Sequence, residues 1–188
     1  LTCVEKDKAL RWAALMHDIG KPATRTTDEQ GIDHFHGHAK LSAEMANVIL
    51  RRLKFDNDTR KRVVKLVEFH DDRQFPLNHR GVRRAIHRIG ADLFPDYLKL
   101  ARADMLAQNP ALLPEKLARL DEIERLYKEI LEAQICLSLK DLAVTGRDLI
   151  DAGVKPGPGL GVILNAMLEA VIEHPEYNTK EYLLERIL

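Results

Sequence analysis

The sequence is poor in cysteine and carries no net charge, and each of these absences excludes a class of protein. Its 188 residues include two cysteines, Cys3 and Cys136, in no metal-binding or redox spacing, so neither a disulfide framework nor a thiolate metal site is expected. The 29 basic and 29 acidic side chains cancel, so net charge gives no reason to expect a nucleic acid or membrane partner. No apolar stretch approaches a membrane span and no signal peptide is visible, so we expect a protein of the reducing cytoplasm.

Helical periodicity dominates the chain, and no segment shows convincing β-alternation. The first predicted helix ends at Gly20, and a long helix opens at Pro114. The last segment is set off by glycine and proline. We therefore predict an all-α fold, with a helical bundle over residues 1–135 and a small helical C-terminal appendage over residues 136–188.

The stretch LMHDIGKP places two polar, metal-capable side chains at the end of an apolar run. Leu10, Ala14 and His17 are spaced i, i+4, i+7, so His17 lies on the predicted buried face. A buried imidazole beside the Asp18 carboxylate is unfavourable unless each group has a partner, and a bound cation is one such partner. In the alternative, Asp18 caps a neighbouring element and His17 is a hydrogen-bonded core histidine.

Other segments carry metal-capable side chains at similar positions. His70 ends the apolar stripe of DNDTRKRVVKLVEFHDD, and Asp104 has a core-like position in LFPDYLKLARADMLAQN. His38 lies at a loop-to-helix junction, whereas His34 and His36 are assigned to the loop surface. Imidazole and carboxylate ligands together suit divalent Mn, Ni, Co, Fe, Zn or Mg. A cation held there would lower the pKa of a bound water and neutralise charge on a phosphoryl oxygen.

The order HDIGKP, GHAKLS, EFHD and ARADMLAQN resembles the HD superfamily of metal-dependent phosphohydrolases. That family is all-helical and binds its metal through histidine and aspartate side chains. By this resemblance, His17 and Asp18 match the doublet that names the family, and Asp104 matches its last aspartate. Members with a second metal place extra histidines where this chain has His38 and His70.

The resemblance covers roughly residues 10–110 and implies catalytic roles for Asp18 and Lys21. Lys21 comes just after the doublet and is expected to stabilise transition-state charge. The family's first histidine lies on a helix upstream of the doublet, and no residue before His17 supplies it. The HD domain predicted over residues 1–135 is therefore expected to lack its upstream first helix.

A second resemblance involves GHAKLSAEMANVILRRLKFDN, VRRAIHRIG and the tail DLAVTGRDLIDAGVKPGPGLGVILNAMLEAV. These segments are similar to the C-terminal half of bacterial CCA-adding tRNA nucleotidyltransferases and poly(A) polymerase family proteins. The resemblance implies tRNA as a partner, and a full-length protein with an N-terminal nucleotidyltransferase domain that is missing here. This chain alone is therefore not expected to add nucleotides.

Arginines form a stripe on the predicted helix NHRGVRRAIHRIG. Arg80, Arg84 and Arg88 recur at i, i+4, i+8 with Arg83 beside them. Between Arg51 and Gly90, twelve basic side chains outnumber five acidic ones. These residues are predicted to contact RNA phosphates, and the alternative is an ordinary solvated helix face.

In the tail, Lys155 precedes a turn rich in glycine and proline. Backbone amides around residues 157–161, at a helix N-terminus, are predicted to hold an RNA phosphate with the help of Lys155. The alternative is a helix hairpin that only packs on the rest of the chain.

Two classes of function follow from these observations. The leading one is a divalent-metal-dependent phosphohydrolase that acts on a nucleotide phosphoester or an RNA-end phosphate, within a tRNA nucleotidyltransferase-like protein. The alternative is a catalytically silent module that binds and positions tRNA. A free-standing nucleotide hydrolase is less favoured, because such an enzyme would not need the tail.

Overall fold

The computed structural model describes residues 3–107 and 113–186, and nearly all of their regular structure is helical, as predicted. None of the described helices is long and apolar enough to cross a lipid bilayer. The helices are α1 (Lys8–Met16), α2 (Lys21–Thr24), α3 (His38–Arg52), α4 (Asn57–Phe69), α5 (His79–Ile89), α6 (Phe94–Leu106), α7 (Leu113–Glu132), α8 (Gly146–Asp151), α9 (Pro158–Glu173) and α10 (Lys180–Arg186), with a 3₁₀ turn at Pro175–Tyr177.

A small β-hairpin interrupts the helical pattern between α2 and α3. Its strands are β1 (Thr26–Thr27) and β2 (Asp33–His34), which pair antiparallel. Asp28 closes the turn, because its Oδ1 accepts hydrogen bonds from two backbone N–H groups, both at 2.9 Å. The sequence predicts a polar loop here, since strands of two residues are too short to show alternation.

The chain divides into two compact units. The first comprises Leu1–Gln74 and Asp92–Asp121, and the second comprises Phe75–Ala91 and Glu122–Leu188. Because α5 packs against α9, it groups with the C-terminal helices. The domain boundary near residue 135 stays a prediction.

Each unit buries its own apolar core. In the first unit, α1 packs against α3, α4 and α6, which hides one face of each helix from water. Its deeply buried side chains include Leu10, Ala13, Leu50, Val63, Leu66, Val67, Tyr97, Leu100 and Ala101. One buried apolar cluster of the second unit comprises Cys136, Leu142, Val144, Leu149, Met167, Leu168, Val171, Ile172 and Leu183.

Gly20 allows the loop after α1 to approach the start of α3. Its backbone N–H donates to Ser42 Oγ at 2.9 Å. A Cβ at Gly20 would lie 2.8 Å from the carbonyl oxygen of His38 and 2.8 Å from the backbone nitrogen of Ser42. The φ of Gly20 is −84°, so glycine is needed here for space and not for an unusual conformation. The contact brings the loop that carries Asp18 against the first turn of α3.

Candidate metal centre

Five side chains of the first unit lie together at the ends of four helices, and we call them the His/Asp cluster. His17 and His70 are the C-terminal caps of α1 and α4. His38 is the first residue of α3, and Asp104 lies in the last turn of α6. Asp18 follows His17 directly. The packing of α1 against the other three helices therefore brings all five predicted metal ligands to one place.

The Asp18 carboxylate links the three imidazoles. Nε2 of His17 lies 3.2 Å from Asp18 Oδ2 and 3.3 Å from Asp104 Oδ1. Asp18 Oδ1 lies 3.3 Å from His38 Nε2 and 3.6 Å from His70 Nε2. Potential ligand atoms of His17, Asp18 and His70 all lie within 4.8 Å of one another, which is close enough for a shared cation.

The other ring nitrogen of each histidine bonds to its own helix or loop. Nδ1 of His17 lies 3.0 Å from the carbonyl oxygen three residues earlier, and the corresponding distances are 2.8 Å for His38 and 2.7 Å for His70. A carbonyl oxygen only accepts, so each Nδ1 must carry a proton and donate it. Backbone contacts of this kind are common around metal-binding histidines, where they orient the ring.

This arrangement leaves two polar contacts without an ordinary explanation. Asp18 Oδ1 is buried and accepts no hydrogen bond from the described residues. Nε2 of His38 and Nε2 of His70 are 3.2 Å apart, although with Nδ1 protonated both neutral rings present lone pairs. A cation among these atoms would satisfy both contacts. The imidazole and carboxylate donors therefore fit a divalent metal.

Charge within the cluster is strongly coupled. Burial alone would lower the pKa of His17, but its hydrogen bonds with Asp104 and Asp18 raise it to about 10. Burial would raise the pKa of Asp18, but His17 and Lys21 hold it well below its usual range. The protonated His17 ring thus keeps the two carboxylates close despite their like charge.

Two cationic side chains border the carboxylates. Lys21 Nζ donates to Asp18 Oδ2 at 2.6 Å. Arg73 Nη2 donates to Asp104 Oδ2 at 3.1 Å and to Asp71 Oδ1 at 2.8 Å. Arg73 is not among the residues that the sequence predicts for the site. The position of Arg73 three residues after His70 is only a weak indication of a role in the site, because the neighbouring sequence does not show that its side chain reaches α6.

A cleft of about 600 Å³ opens beside the cluster and is lined by Lys21, His38, His34, His36 and Glu68 among others. The rings of His34 and His36 are stacked, with centroids 5.5 Å apart and an interplanar angle of 6°. His34 is held by Asp28, at 2.8 Å from Nε2 to Oδ2. His34 and His36 therefore line the entrance to the cluster, whereas the sequence assigns them only to a loop surface.

The predicted arginine stripe on α5, defined as Arg80, Arg84 and Arg88, is exposed, but part of its charge is already engaged within the second unit. Arg80 and Arg84 both form ion pairs with the carboxylate of Glu173. Although burial acts in the opposite direction, these two arginines lower the pKa of Glu173. The sequence does not predict this pairing, because Glu173 lies 89 residues after Arg84 along the chain.

The position of Arg83 differs from the predicted phosphate-binding surface, because Arg83 is buried and only 7% exposed. Its guanidinium donates to the carbonyl oxygens of Ile172 and Glu173, at 2.8 and 3.2 Å. These bonds tie α5 to the end of α9, so Arg83 has a structural role and is not available to phosphate.

Lys155 is exposed in the loop between α8 and α9. Gly157 in the same loop has a φ of +154°, which favours glycine, and α9 begins at the next residue. The contact of this loop with an RNA phosphate stays a prediction.

Comparison with known proteins identifies the family. A family model described as tRNA nucleotidyltransferase domain 2 matches residues 23–187, which is most of the chain. The chain belongs to the tRNA nucleotidyltransferase family. The family match begins after Lys21, so the HD doublet lies before the matched segment.

Relatives within this tRNA nucleotidyltransferase family are much longer than the chain. The A-adding tRNA nucleotidyltransferase of Deinococcus radiodurans is 35% identical over 170 residues, covering 88% of this chain and 38% of the relative. The CC-adding tRNA nucleotidyltransferase of Thermus thermophilus is 37% identical over 164 residues, covering 87% and 36%. The CCA-adding enzyme of Lacticaseibacillus paracasei is 37% identical over 78 residues, or 42% of this chain and 20% of the relative. No solved structure matches the chain significantly.

Proposed function

We propose that this chain is an HD-type, divalent-metal-dependent phosphohydrolase domain of a tRNA nucleotidyltransferase. Its substrates would be phosphomonoesters or phosphodiesters of nucleotides or of RNA ends, such as a 2′,3′-cyclic phosphate. The observation that carries the proposal is the buried Asp18 Oδ1, which lacks a hydrogen bond within the described residues and lies 3.3 Å from His38 Nε2. Leaving a buried carboxylate oxygen unsatisfied is unfavourable, so a bound cation is a physical reason for keeping it.

The proposed ligands fall into two groups. His17, Asp18 and Asp104 would hold one divalent cation, and His38 and His70 would complete that site or form a second position. When bound, such a cation neutralises charge on a phosphoryl oxygen and makes water a better nucleophile at neutral pH. The Nδ1 contacts to backbone carbonyls keep the Nε2 atoms of all three histidines directed into the cluster.

Lys21 is the proposed catalytic partner of Asp18. Its amine contacts Asp18, its side chain is 38% exposed, and it lines the 600 Å³ cleft. A phosphoester that enters the cleft would therefore meet a cation beside the metal ligands. As a compact charge on a flexible stem, Lys21 can move from Asp18 to a phosphoryl oxygen and stabilise developing negative charge.

A second candidate function is a catalytically silent module that positions tRNA. It is favoured by the contacts of Lys21 with Asp18 and of Arg73 with Asp104, which balance part of the carboxylate charge without a metal. The relatives are named as tRNA nucleotidyltransferases and extend well beyond the matched region. In this function, tRNA contact would come from exposed basic side chains of the second unit, namely Arg80, Arg84, Arg88 and Lys155.

Hydrolysis of a nucleoside 2′,3′-cyclic monophosphate by the 188-residue chain distinguishes the two candidates. The assay is run separately with Mn, Ni, Co, Fe, Zn and Mg and with a chelator. We expect metal-dependent turnover that His17→Ala removes, whereas His79→Ala, which removes an exposed histidine outside the cluster, leaves it intact. Absence of turnover with all six metals would contradict the phosphohydrolase proposal and favour the silent module.

A further inference from the structure

Arg73 contacts two carboxylates of the first unit through one nitrogen of its guanidinium. Its Nη2 donates to Asp71 Oδ1 at 2.8 Å and to Asp104 Oδ2 at 3.1 Å. The side chains of Arg73 and Asp104 are only 15% and 11% exposed, so water competes little for this contact. Arg73 therefore joins the loop after α4 to the last turn of α6.

The two oxygens of the Asp104 carboxylate face different partners. Oδ1 lies 3.3 Å from Nε2 of His17, within the His/Asp cluster, whereas Oδ2 accepts the hydrogen bond from Arg73. A hydrogen bond between a guanidinium and a carboxylate is among the stronger ones in proteins, so it restricts the rotation of the carboxylate. The contact with Arg73 thus holds Oδ2 outside the cluster and leaves Oδ1 facing it.

The loop that carries Arg73 is itself held by two other helices of the first unit. Nε and Nη2 of Arg119, on α7, donate to the backbone carbonyl oxygen of Arg73 at 3.1 and 2.8 Å. The hydroxyl of Tyr97, on α6, donates to the preceding carbonyl oxygen, that of Asp72, at 2.8 Å. Two consecutive carbonyl groups of the loop are thus bound by side chains of other helices. The backbone from which Arg73 reaches Asp104 is therefore fixed without a metal.

We propose that Arg73 is a positioning residue of the metal centre, which orients Asp104 so that its Oδ1 is presented to a divalent cation. The inference rests on the proposed function, because it requires the His/Asp cluster to bind a metal. Carboxylates that bind metals are commonly held by hydrogen bonds from surrounding residues, and loss of such a partner typically weakens metal binding by about 10–100-fold. Arg73 has this relation to Asp104 and contacts the metal only through it.

Orientation and charge predict opposite effects when Arg73 is removed. A guanidinium beside a metal site repels a cation, so by charge alone its loss would tighten metal binding. If Arg73 directs Asp104 Oδ1 toward the cluster, its loss instead frees the carboxylate to rotate and weakens metal binding. The direction of the change in Kd therefore distinguishes a positioning residue from one that only balances carboxylate charge, as in the silent module.

Metal affinity tests the inference without hydrolysis. The Kd of the 188-residue chain is measured by isothermal titration calorimetry with Mn, Ni, Co, Fe, Zn and Mg in turn, at a temperature where circular dichroism shows each protein to be folded. We expect Arg73→Met to raise the Kd by about 10–100-fold. A purely structural role would lower stability but would not change the Kd of the folded protein. The matched control is Arg102→Met, on α6, which removes an arginine paired with Asp121 outside the cluster and should leave the Kd unchanged.

A second variant tests the same inference if Arg73→Met does not fold. Arg119→Met removes both donors to the carbonyl oxygen of Arg73 but keeps the guanidinium that contacts Asp104. We expect a smaller rise in Kd than for Arg73→Met, because the loop loses one of its two attachments and the charge beside Asp104 is retained. An unchanged Kd in Arg119→Met would contradict the part of the inference that concerns the loop.

The outcomes separate this inference from the proposed function. A Kd that is unchanged or lower in Arg73→Met would overturn the positioning role and leave the metal centre intact. Absence of binding by the unmodified chain with all six metals would contradict both the metal centre and the positioning role. If the Kd rises as expected but the unmodified chain hydrolyses no cyclic nucleotide, the phosphohydrolase function is wrong and the positioning role stands.

Discussion

The His/Asp cluster of the first unit and the arginine stripe of the second unit differ in how their charges are satisfied. In the cluster, Asp18 Oδ1 is buried without a hydrogen bond from the described residues, and the Nε2 atoms of His38 and His70 are 3.2 Å apart. In the stripe, Arg80 and Arg84 share the carboxylate of Glu173, whose buried Oε2 also makes no regular hydrogen bond within the described residues but forms an ion pair with Arg80. The two carboxylates therefore differ in what faces their buried oxygens, which is an arginine for Glu173 and imidazole nitrogens for Asp18.

Energies support the same distinction. An exposed ion pair contributes about 0–1 kcal/mol to stability, so its loss or retention says little about function. A buried polar group without a partner costs about 1–3 kcal/mol. Asp18 lies where four helices meet, and binding of a ligand there can offset the cost of its unsatisfied oxygen. Perturbed ionisable groups are concentrated at functional sites.

The largest expected effect comes from removing the unsatisfied carboxylate itself. Asp18→Asn should lower metal-dependent hydrolysis of a cyclic nucleotide by more than about 100-fold, because the amide is a poorer metal ligand and cannot link the histidines as an anion. Asp58→Asn, at an exposed aspartate of α4, serves as the control and should retain activity. If Asp18→Asn kept its activity, the cluster would not be the catalytic site.

Metal binding should also appear as added thermal stability. A cation that binds the folded chain at a hundred times its Kd contributes about 2.7 kcal/mol, or a rise in Tm of about 5–10 °C for a chain of this size. Differential scanning fluorimetry with each metal and with chelator measures this difference. Asp104→Asn should remove most of it. Identical melting curves with metal and with chelator would show that the His/Asp cluster does not bind a metal.

Gly20→Ala tests whether the close approach of two backbone segments builds the cluster. The added Cβ would lie 2.8 Å from backbone atoms of His38 and Ser42, so we expect a loss of about 1–3 kcal/mol in the free energy of unfolding. The metal-induced rise in Tm should shrink as well, since Asp18 moves away from His38. Gly146→Ala is the control, because its Cβ would meet no atom within 4 Å. Equal behaviour of the two variants would contradict this account of Gly20.

Arg83 should matter for stability although it lies on the same helix as the stripe. Arg83→Met leaves one buried and one partly buried carbonyl oxygen without their donor, and we expect it to cost about 1–3 kcal/mol in urea denaturation. Arg80→Met removes one of the two arginines paired with Glu173 and leaves Arg84 in place, so it should cost less than Arg83→Met. Similar losses in both variants would mean that the stripe is structural throughout.

The smallest effect is expected from the stripe in RNA binding. If Arg80 and Arg84 both contacted RNA phosphates, Arg80→Gln with Arg84→Gln would lower the slope of log affinity against log salt for a single strand by about 1.4. Because Glu173 already engages both guanidinium groups, we expect a change well below 0.7, the value for one contact. A decrease near 1.4 would restore the stripe as an RNA-binding surface.

Much of the local structure could be predicted from the sequence. The helical class, the long helix near Pro114, and the inward positions of His17, His70 and Asp104 follow from periodicity, since a helix places residues three and four apart on one face. The turn at Asp28 could not be predicted as a hairpin, because its strands have two residues each.

What the sequence by itself determined is therefore which side chains each helix directs inward, and the chemistry that those side chains can perform. Only the tertiary structure decided which charges are already satisfied. Arg73 reaches Asp104 across 31 residues, and Arg84 reaches Glu173 across 89. Helical periodicity is a property of neighbouring residues, whereas such pairings depend on how separate helices pack. That packing surrounds Asp18 with imidazoles in one unit, and pairs two arginines of the stripe with Glu173 in the other.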